Sequence, residues 1–117
     1  MSQDFQPGDF LIFQLESGYG LLRLLSIDEQ NGERVWHVAA YEDLFLDTEG
    51  AEAAISDPEQ LSLTNPHIAL TNRAFESTQV ARMGNVPLTP EEERRARVAS
   101  AQPKVSDRSI RLLLGLR

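Results

Sequence analysis

Three runs of sequence decide the fold: DFLIFQL at Asp9–Leu15, YGLLRLLSI at Tyr19–Ile27 and ERVWHVAAY at Glu33–Tyr41. Apolar residues alternate through each run, and the turn residues Ser17-Gly18 and Asn31-Gly32 lie between them. Alternation bounded by turn residues is typical of β-strands. The sequence therefore predicts a three-stranded antiparallel meander, and a mainly β (α+β) fold built on a curled antiparallel sheet or a small barrel.

The Asn31-Gly32 pair predicts a two-residue hairpin, because both residues tolerate the positive φ that a type I′ turn requires. Such a loop places Ser26 opposite His37 and Ile27 opposite Trp36. In the first run both faces are partly apolar, which predicts a strand covered on two sides.

The middle of the chain has weaker patterns. The acidic stretch 42–52 is interpreted as a short strand followed by a loop. Asp57 and Pro58 are typical of the start of a helical turn. We expect strands at 61–63 and 68–71, split by Asn65-Pro66, and a further short strand at 74–76 that pairs with the second of them.

The C-terminal part predicts one or two helices. Thr89, Pro90 and Glu92 have the spacing of a capped helix start with a capping box. Residues 106–117 fit a helix with an apolar stripe and a Gly115 stop, or an alternating strand; either form must be buried against the sheet or against a second copy. A homodimer would use Ile110, Leu113 and Leu114. We expect one domain over 1–117, with a β body at 1–88 and a helical segment at 89–117.

The composition fits an ordinary globular chain of 117 residues without cysteine. Disulfides and thiolate-bound zinc are thereby excluded. Neither a signal peptide nor an apolar run of about 20 residues is visible, so we expect a cytoplasmic protein without membrane contact.

Charge is unevenly distributed within the net −7. Residues 1–90 hold 14 acidic and 4 basic side chains, whereas residues 91–117 hold 4 and 7. Either the basic tail packs on its own acidic body, or the body faces a basic partner protein and its field speeds their encounter. Nucleic-acid binding by the body is not expected, because phosphate contact needs a basic surface.

Possible partner-binding residues are found in the third run and in the acidic stretch after it. Aromatic residues are common interface anchors, and carboxylates would meet a basic surface. The candidates are Trp36, Tyr41, Glu42, Asp43, Asp47 and Glu49.

No catalytic constellation, metal site or cofactor site is expected. His37 would need an orienting carboxylate to act as a general base, and strand direction carries Glu42 and Asp43 away from it. His67 follows Asn65-Pro66 and is interpreted as a solvated loop residue. The alternative to a non-enzymatic interaction module is a small-molecule-binding or enzymatic barrel with a pocket around Trp36, His37 and Tyr41.

Three segments carry a resemblance to a known family: Pro7–Phe13, Ser17–Leu25 and Pro87–Glu92. Their Gly-Asp start, apolar strand, Gly-Tyr-Gly second strand and late Pro-Leu-Thr-Pro-Glu-Glu resemble small bacterial immunity proteins of polymorphic-toxin systems, over about a quarter of the chain. The resemblance implies an SH3-like barrel start and a protein that binds and blocks another protein. It assigns no functional residue.

Overall fold

A single six-stranded sheet forms the centre of the protein, in a computed structural model that describes residues 5–101 and 105–115. The strand order is β5-β1-β2-β3-β4-β6, and only the β4–β6 pair is parallel. The sheet is open rather than closed into a barrel, and the predicted curled sheet with C-terminal helices is confirmed. The strands are β1 (Asp9–Leu15), β2 (Gly18–Gln30), β3 (Glu33–Phe45), β4 (Leu63–Thr71), β5 (Ala81–Asn85) and β6 (Val105–Ser106). The helices are α1 (Thr48–Ile55), a 3-10 turn (Pro58–Gln60), α2 (Asn72–Thr78), α3 (Pro90–Ala101) and α4 (Ile110–Leu114).

The predicted meander and its register are confirmed. Asn31 and Gly32 have φ values of 55° and 81°, as a type I′ turn requires. Ser26 lies opposite His37 and Ile27 opposite Trp36. Extra residues in β2 and β3 then shift the register further along the ladder, which increases the local twist of the sheet.

Both faces of the sheet are covered. We call the layer under α2 and α4 the apolar layer; its buried members include Leu11, Phe13, Leu22, Leu24, Trp36, Val38, Leu70, Phe75 and Ile110. We call the layer under α1 and α3 the ionisable layer, because Arg23, His37 and Glu92 are buried there among apolar residues such as Phe10, Leu21, Leu25 and Ala39. As predicted, β1 is covered on both sides, since Phe10 and Leu11 point to opposite layers and are both buried.

The acidic stretch after Tyr41 differs from its prediction. Strand β3 continues to Phe45, and the predicted loop is the helix α1. The Asp47 side chain accepts a hydrogen bond from the backbone N–H of Gly50 at 2.7 Å and so caps this helix. A capping role for Asp47 was not predicted because the segment has little apolar periodicity.

The prediction of two strands split by Asn65-Pro66 is wrong, because β4 runs without a break through both residues. Proline lacks the N–H that a second neighbour would need, so it is tolerated where only one side of a strand is paired. Among the described residues, β6 pairs with β4 only at Ala69 and Leu70. Pro66 therefore has a paired strand, β3, on one side only.

The short strand predicted at 74–76 is also wrong, since these residues belong to α2. The Thr71 hydroxyl accepts a hydrogen bond from the N–H of Ala74 at 3.1 Å and caps the helix. Ala74, Phe75 and Thr78 then face the core at helical spacing. The helices α1 and α2 both lie in the segment predicted as a β body, and β6 lies in the segment predicted as helical.

The capping box at the start of α3 is confirmed. The Glu92 N–H donates to Thr89 Oγ1 at 3.2 Å, and the Thr89 N–H donates to Glu92 Oε1 at 3.0 Å. The helical alternative for the last segment is confirmed as well: α4 starts at a Ser109 cap and ends at Gly115 with φ 69°. Leu116 and Arg117, which the prediction included, lie outside the described residues.

Helix α4 packs on its own sheet. Ile110 is fully buried in the apolar layer, and Leu113 and Leu114 pack against the same cluster. In the stripe expected to serve a homodimer, Ile110 is therefore buried within the chain, whereas Leu113 and Leu114 are only partly buried. In the described parts of the chain, no helix has the length and apolar character needed to cross a membrane.

Candidate functional site

The predicted acidic residues lie together where β3 leaves the sheet and α1 begins. Glu42, Asp47 and Glu49 are exposed, and Asp43 is half-exposed. The Asp43 carboxylate accepts a hydrogen bond from the Ser62 N–H at 2.7 Å. Within 5–101 and 105–115, no cation lies at ion-pair distance from these four carboxylates. Their field is therefore directed to solvent.

Exposed leucines accompany these acids. Leu44, Leu46 and Leu63 are 53%, 89% and 42% exposed. Leu44 and Leu46 lie between Asp43 and Asp47 in sequence. Leu63 pairs with Tyr41 across β3 and β4, so these leucines surround the end of β3. Large apolar side chains inside a charged rim are typical of protein-binding surfaces. We call this region, formed by Glu42, Asp43, Asp47, Glu49, Leu44, Leu46 and Leu63, the acidic-leucine end.

The tail packs against the body, but its described arginines contact body carbonyls rather than body carboxylates. In the described residues, two side-chain ion pairs join them, and both run from a body arginine to a tail acid: Arg23 to Glu92 and Arg73 to Asp107. Tail arginines instead reach body carbonyls: Arg95 donates to the Pro66 oxygen and Arg111 to the Gln14 oxygen. These contacts hold the tail on the body, and among the residues that the structure describes no tail arginine forms an ion pair with a body carboxylate.

The two aromatic candidates are buried and lie in different layers. Trp36 is 3% exposed in the apolar layer, and Tyr41 is 7% exposed in the ionisable layer. Strand alternation places His37 on the side of Tyr41. The pocket imagined around Trp36, His37 and Tyr41 is therefore not formed, because their side chains leave the sheet on opposite sides. As partner-binding residues, Trp36 and Tyr41 offer little surface.

Trp36 does border a cavity of about 300 Å³. Its ring stacks on Phe75 with centroids 3.9 Å apart, and Phe5 packs edge-on against both rings. The indole Nε1–H donates to Asn72 Oδ1 at 2.9 Å, and the Arg34 guanidinium lies 5.5 Å from the ring centroid. These contacts already use both the polar group and the ring of Trp36.

The two histidines lie together, contrary to the prediction for His67. His67 belongs to β4 and is half-buried, and its Nε2 lies 2.8 Å from Nδ1 of the fully buried His37. The other nitrogen of His37, Nε2, lies 2.8 Å from Asp28 Oδ2 on β2, outside good hydrogen-bond alignment. Burial and the neighbouring His37 lower the pKa of His67 below 6.5. We call Asp28, His37 and His67 the histidine relay.

The relay lacks the parts of a catalytic or metal site. Both nitrogens of His37 face partners, so the ring cannot also activate the buried Ser26 hydroxyl that lies opposite it. In the described portion of the chain, no group of three or more His, Cys, Asp or Glu side chains is placed to hold a metal ion. The geometry can bind and store a proton, but it presents no nucleophile.

A buried ion pair anchors α3 over the same layer. The Arg23 guanidinium donates to both carboxylate oxygens of Glu92 at 3.0 and 3.1 Å, to the Gly8 carbonyl at 2.5 Å and to the Pro87 carbonyl at 3.3 Å. It also lies 4.3 Å from the ring centroid of Phe10. Burial raises the pKa of Tyr41 to about 12, although the charge of nearby Arg23 opposes the rise.

Sequence reasoning missed Asp28 as the partner of His37, although the signal was present. The predicted register places Ser26 opposite His37, so Asp28, two residues along, is the diagonal neighbour on the same face. His67 is likewise two residues from Ala69, which pairs with His37 on the other side. The interpretation of Asn65-Pro66 as a break removed His67 from the sheet and so hid this geometry.

Comparison with known proteins gives no relative: no family model, curated protein or solved structure matches the chain.

Proposed function

We propose that this protein is a non-enzymatic binding module that docks a partner protein with a basic surface on its acidic-leucine end. The supporting observation is that four carboxylates, none with an ion-pair partner among the described residues, and three exposed leucines lie at one end of the sheet. Apolar contacts supply affinity in such an interface, while charge complementarity selects the partner and speeds the encounter. The immunity-type inhibitor of a bacterial toxin, implied by the resemblance, is the specific form of this proposal.

The position of the acidic-leucine end favours this role. It lies at the opposite end of the β2–β3 hairpin from the Asn31-Gly32 turn, on backbone that the sheet holds firmly. The Asp47 cap and the Ser62–Asp43 hydrogen bond fix the segment between β3 and α1. A surface held in one conformation binds with a smaller entropy cost.

Charge reversal of the end tests the proposal. The double variant E42K/E49K should lose a partner that the wild type captures from the source cells, because two attractive contacts become repulsive. The matched control is E29K/E33K, which reverses two exposed acids at the hairpin tip. Capture should survive this control and weaken as salt is raised from about 50 to 500 mM, where screening shortens the Debye length.

Three results would contradict the proposal: capture unaffected by E42K/E49K, capture indifferent to salt, or no protein retained by the wild type beyond those that E42K/E49K also retains. The inhibitor form has its own readout. A captured protein that arrests growth when expressed alone should be relieved by co-expression of the wild type and of E29K/E33K, but not of E42K/E49K.

A further inference from the structure

We propose that the histidine relay is a proton-binding site that holds α3 and β4 in place at neutral pH and loosens them on acidification. This site lies in the ionisable layer, away from the acidic-leucine end, and is independent of partner binding. It stands on the placement of three titratable side chains along one diagonal of the sheet.

The relay crosses three strands. Asp28 comes from β2, His37 from β3 and His67 from β4, and the two contacts between them are both 2.8 Å long. The imidazole rings are close to parallel, with centroids 5.1 Å apart. A change in protonation at one end therefore acts on all three central strands.

The neighbours of His37 favour one neutral tautomer. The Asp28 carboxylate lies 2.8 Å from Nε2 of His37, although poorly aligned for a hydrogen bond, and it favours a proton on Nε2 because a lone pair there would face the carboxylate. In a neutral ring the Nδ1 of His37 is then an acceptor. His67 must donate its Nε2–H to that atom, which leaves the lone pair of His67 on Nδ1. One proton can therefore enter at His67 Nδ1 without breaking the relay, and a second proton, on His37 Nδ1, breaks the His37–His67 bond.

Burial, and then the neighbouring His37, oppose the first proton by lowering the pKa of His67. Asp28 is attractive but contacts the far side of His37. From α3, Arg95 donates to the carbonyl of Pro66, the residue before His67, and its Nε is buried without a partner. The described residues of β6, Val105 and Ser106, carry no charge. A charged His67 thus introduces a second cation one residue from the carbonyl to which Arg95 donates.

The sign of the linkage follows from the lowered pKa of His67. Between its folded pKa and the ordinary value near 6.5, the open or unfolded form binds more protons than the folded form. Stability from this group is complete above about pH 6.5 and is lost as pH falls toward the folded pKa. The first structure to loosen should be the contact between Arg95 of α3 and the Pro66–His67 segment of β4.

Hydrogen exchange of the full chain at pH 7.5 and 5.5 tests the proposal. After correction for intrinsic rates, protection of α3 amides should fall at least about threefold at pH 5.5, while α2 amides in the apolar layer keep theirs. In H67Q this fall should disappear, since the glutamine amide still donates toward His37 but cannot take up a proton. The matched control is E29Q, which removes the charge of an exposed carboxylate on the same strand as Asp28. Its exchange protection should change with pH as that of the wild type does.

Two outcomes overturn the proposal: unchanged protection of wild-type α3, or the same loss in H67Q. If H67Q does not fold, NMR titration of the wild type decides. A His67 midpoint below that of a free histidine, with α3 amide shifts following the same midpoint, supports the site; a midpoint at about 6.5 with unmoved α3 amides excludes it.

Discussion

The two layers of the sheet contain different chemistry although the same strands build them. The apolar layer is filled by aliphatic and aromatic side chains, with Trp36 and Phe75 stacked at its centre. The ionisable layer holds a buried arginine–glutamate pair and the histidine relay. Apolar burial is nearly independent of pH, whereas buried charges and histidines respond to it. The apolar layer should therefore contribute the same stability at every pH, whereas the ionisable layer should make the attachment of α3 depend on pH.

The largest effect should follow from breaking the buried pair. R23M leaves Glu92 buried without its partner and should lower the free energy of unfolding by about 3–5 kcal/mol, measured by urea denaturation. The double variant R23M/E92M should recover most of that loss, because neither charge remains. R94M, at an exposed position of α3, is the control. A double variant as unstable as R23M would mean that the pair's geometry, not its charge balance, holds α3.

A cavity in the apolar layer should cost somewhat less. Leu24 is fully buried there, so L24A should lower the free energy of unfolding by about 2–4 kcal/mol. The loss should be equal at pH 7.5 and 5.5, because no titratable group faces Leu24 in that cluster. L112A, at a leucine that is 71% exposed, should change stability by less than about 0.5 kcal/mol. A pH-dependent loss in L24A would show that the two layers are not independent.

The smallest expected effect is that of acidification on the fluorescence of Trp36. Trp36 is the only tryptophan and lies in the apolar layer. Its emission maximum should stay constant from pH 7.5 to 5.5, while α3 loses exchange protection over the same range. A red shift that accompanies the loss in α3 would mean that acidification opens both layers together, and the contrast between them would fail.

The meander could be predicted from sequence because local chemistry determines it. The positive φ tolerance of Asn31-Gly32 set the turn, and the turn set the register through Ser26 and His37. The α3 start was predictable for the same reason, since the Thr89–Glu92 capping box is local. The acids of the acidic-leucine end could also be identified in the sequence. Their proximity to Leu63 depends on the β3–β4 pairing, which the sequence did not predict.

The rest depends on contacts between distant segments. Pro66 is disfavoured in a strand unless one side of that strand is unpaired, and the sequence does not show which strand lies beside it. The prediction of a strand at 74–76, within helix α2, was wrong because three residues are too few to distinguish the helical repeat from the alternation of a strand. The Arg23–Glu92 pair joins residues 69 positions apart, and no local pattern of charge indicates such a partner.

The proline in β4 has one more consequence, for self-association. An unpaired strand side is a template on which another chain can grow an intermolecular sheet. At Pro66 the template lacks a donor, and the Arg95 guanidinium occupies the carbonyl. The missing donor and the occupied carbonyl therefore both disfavour the pairing of another strand at this point of β4.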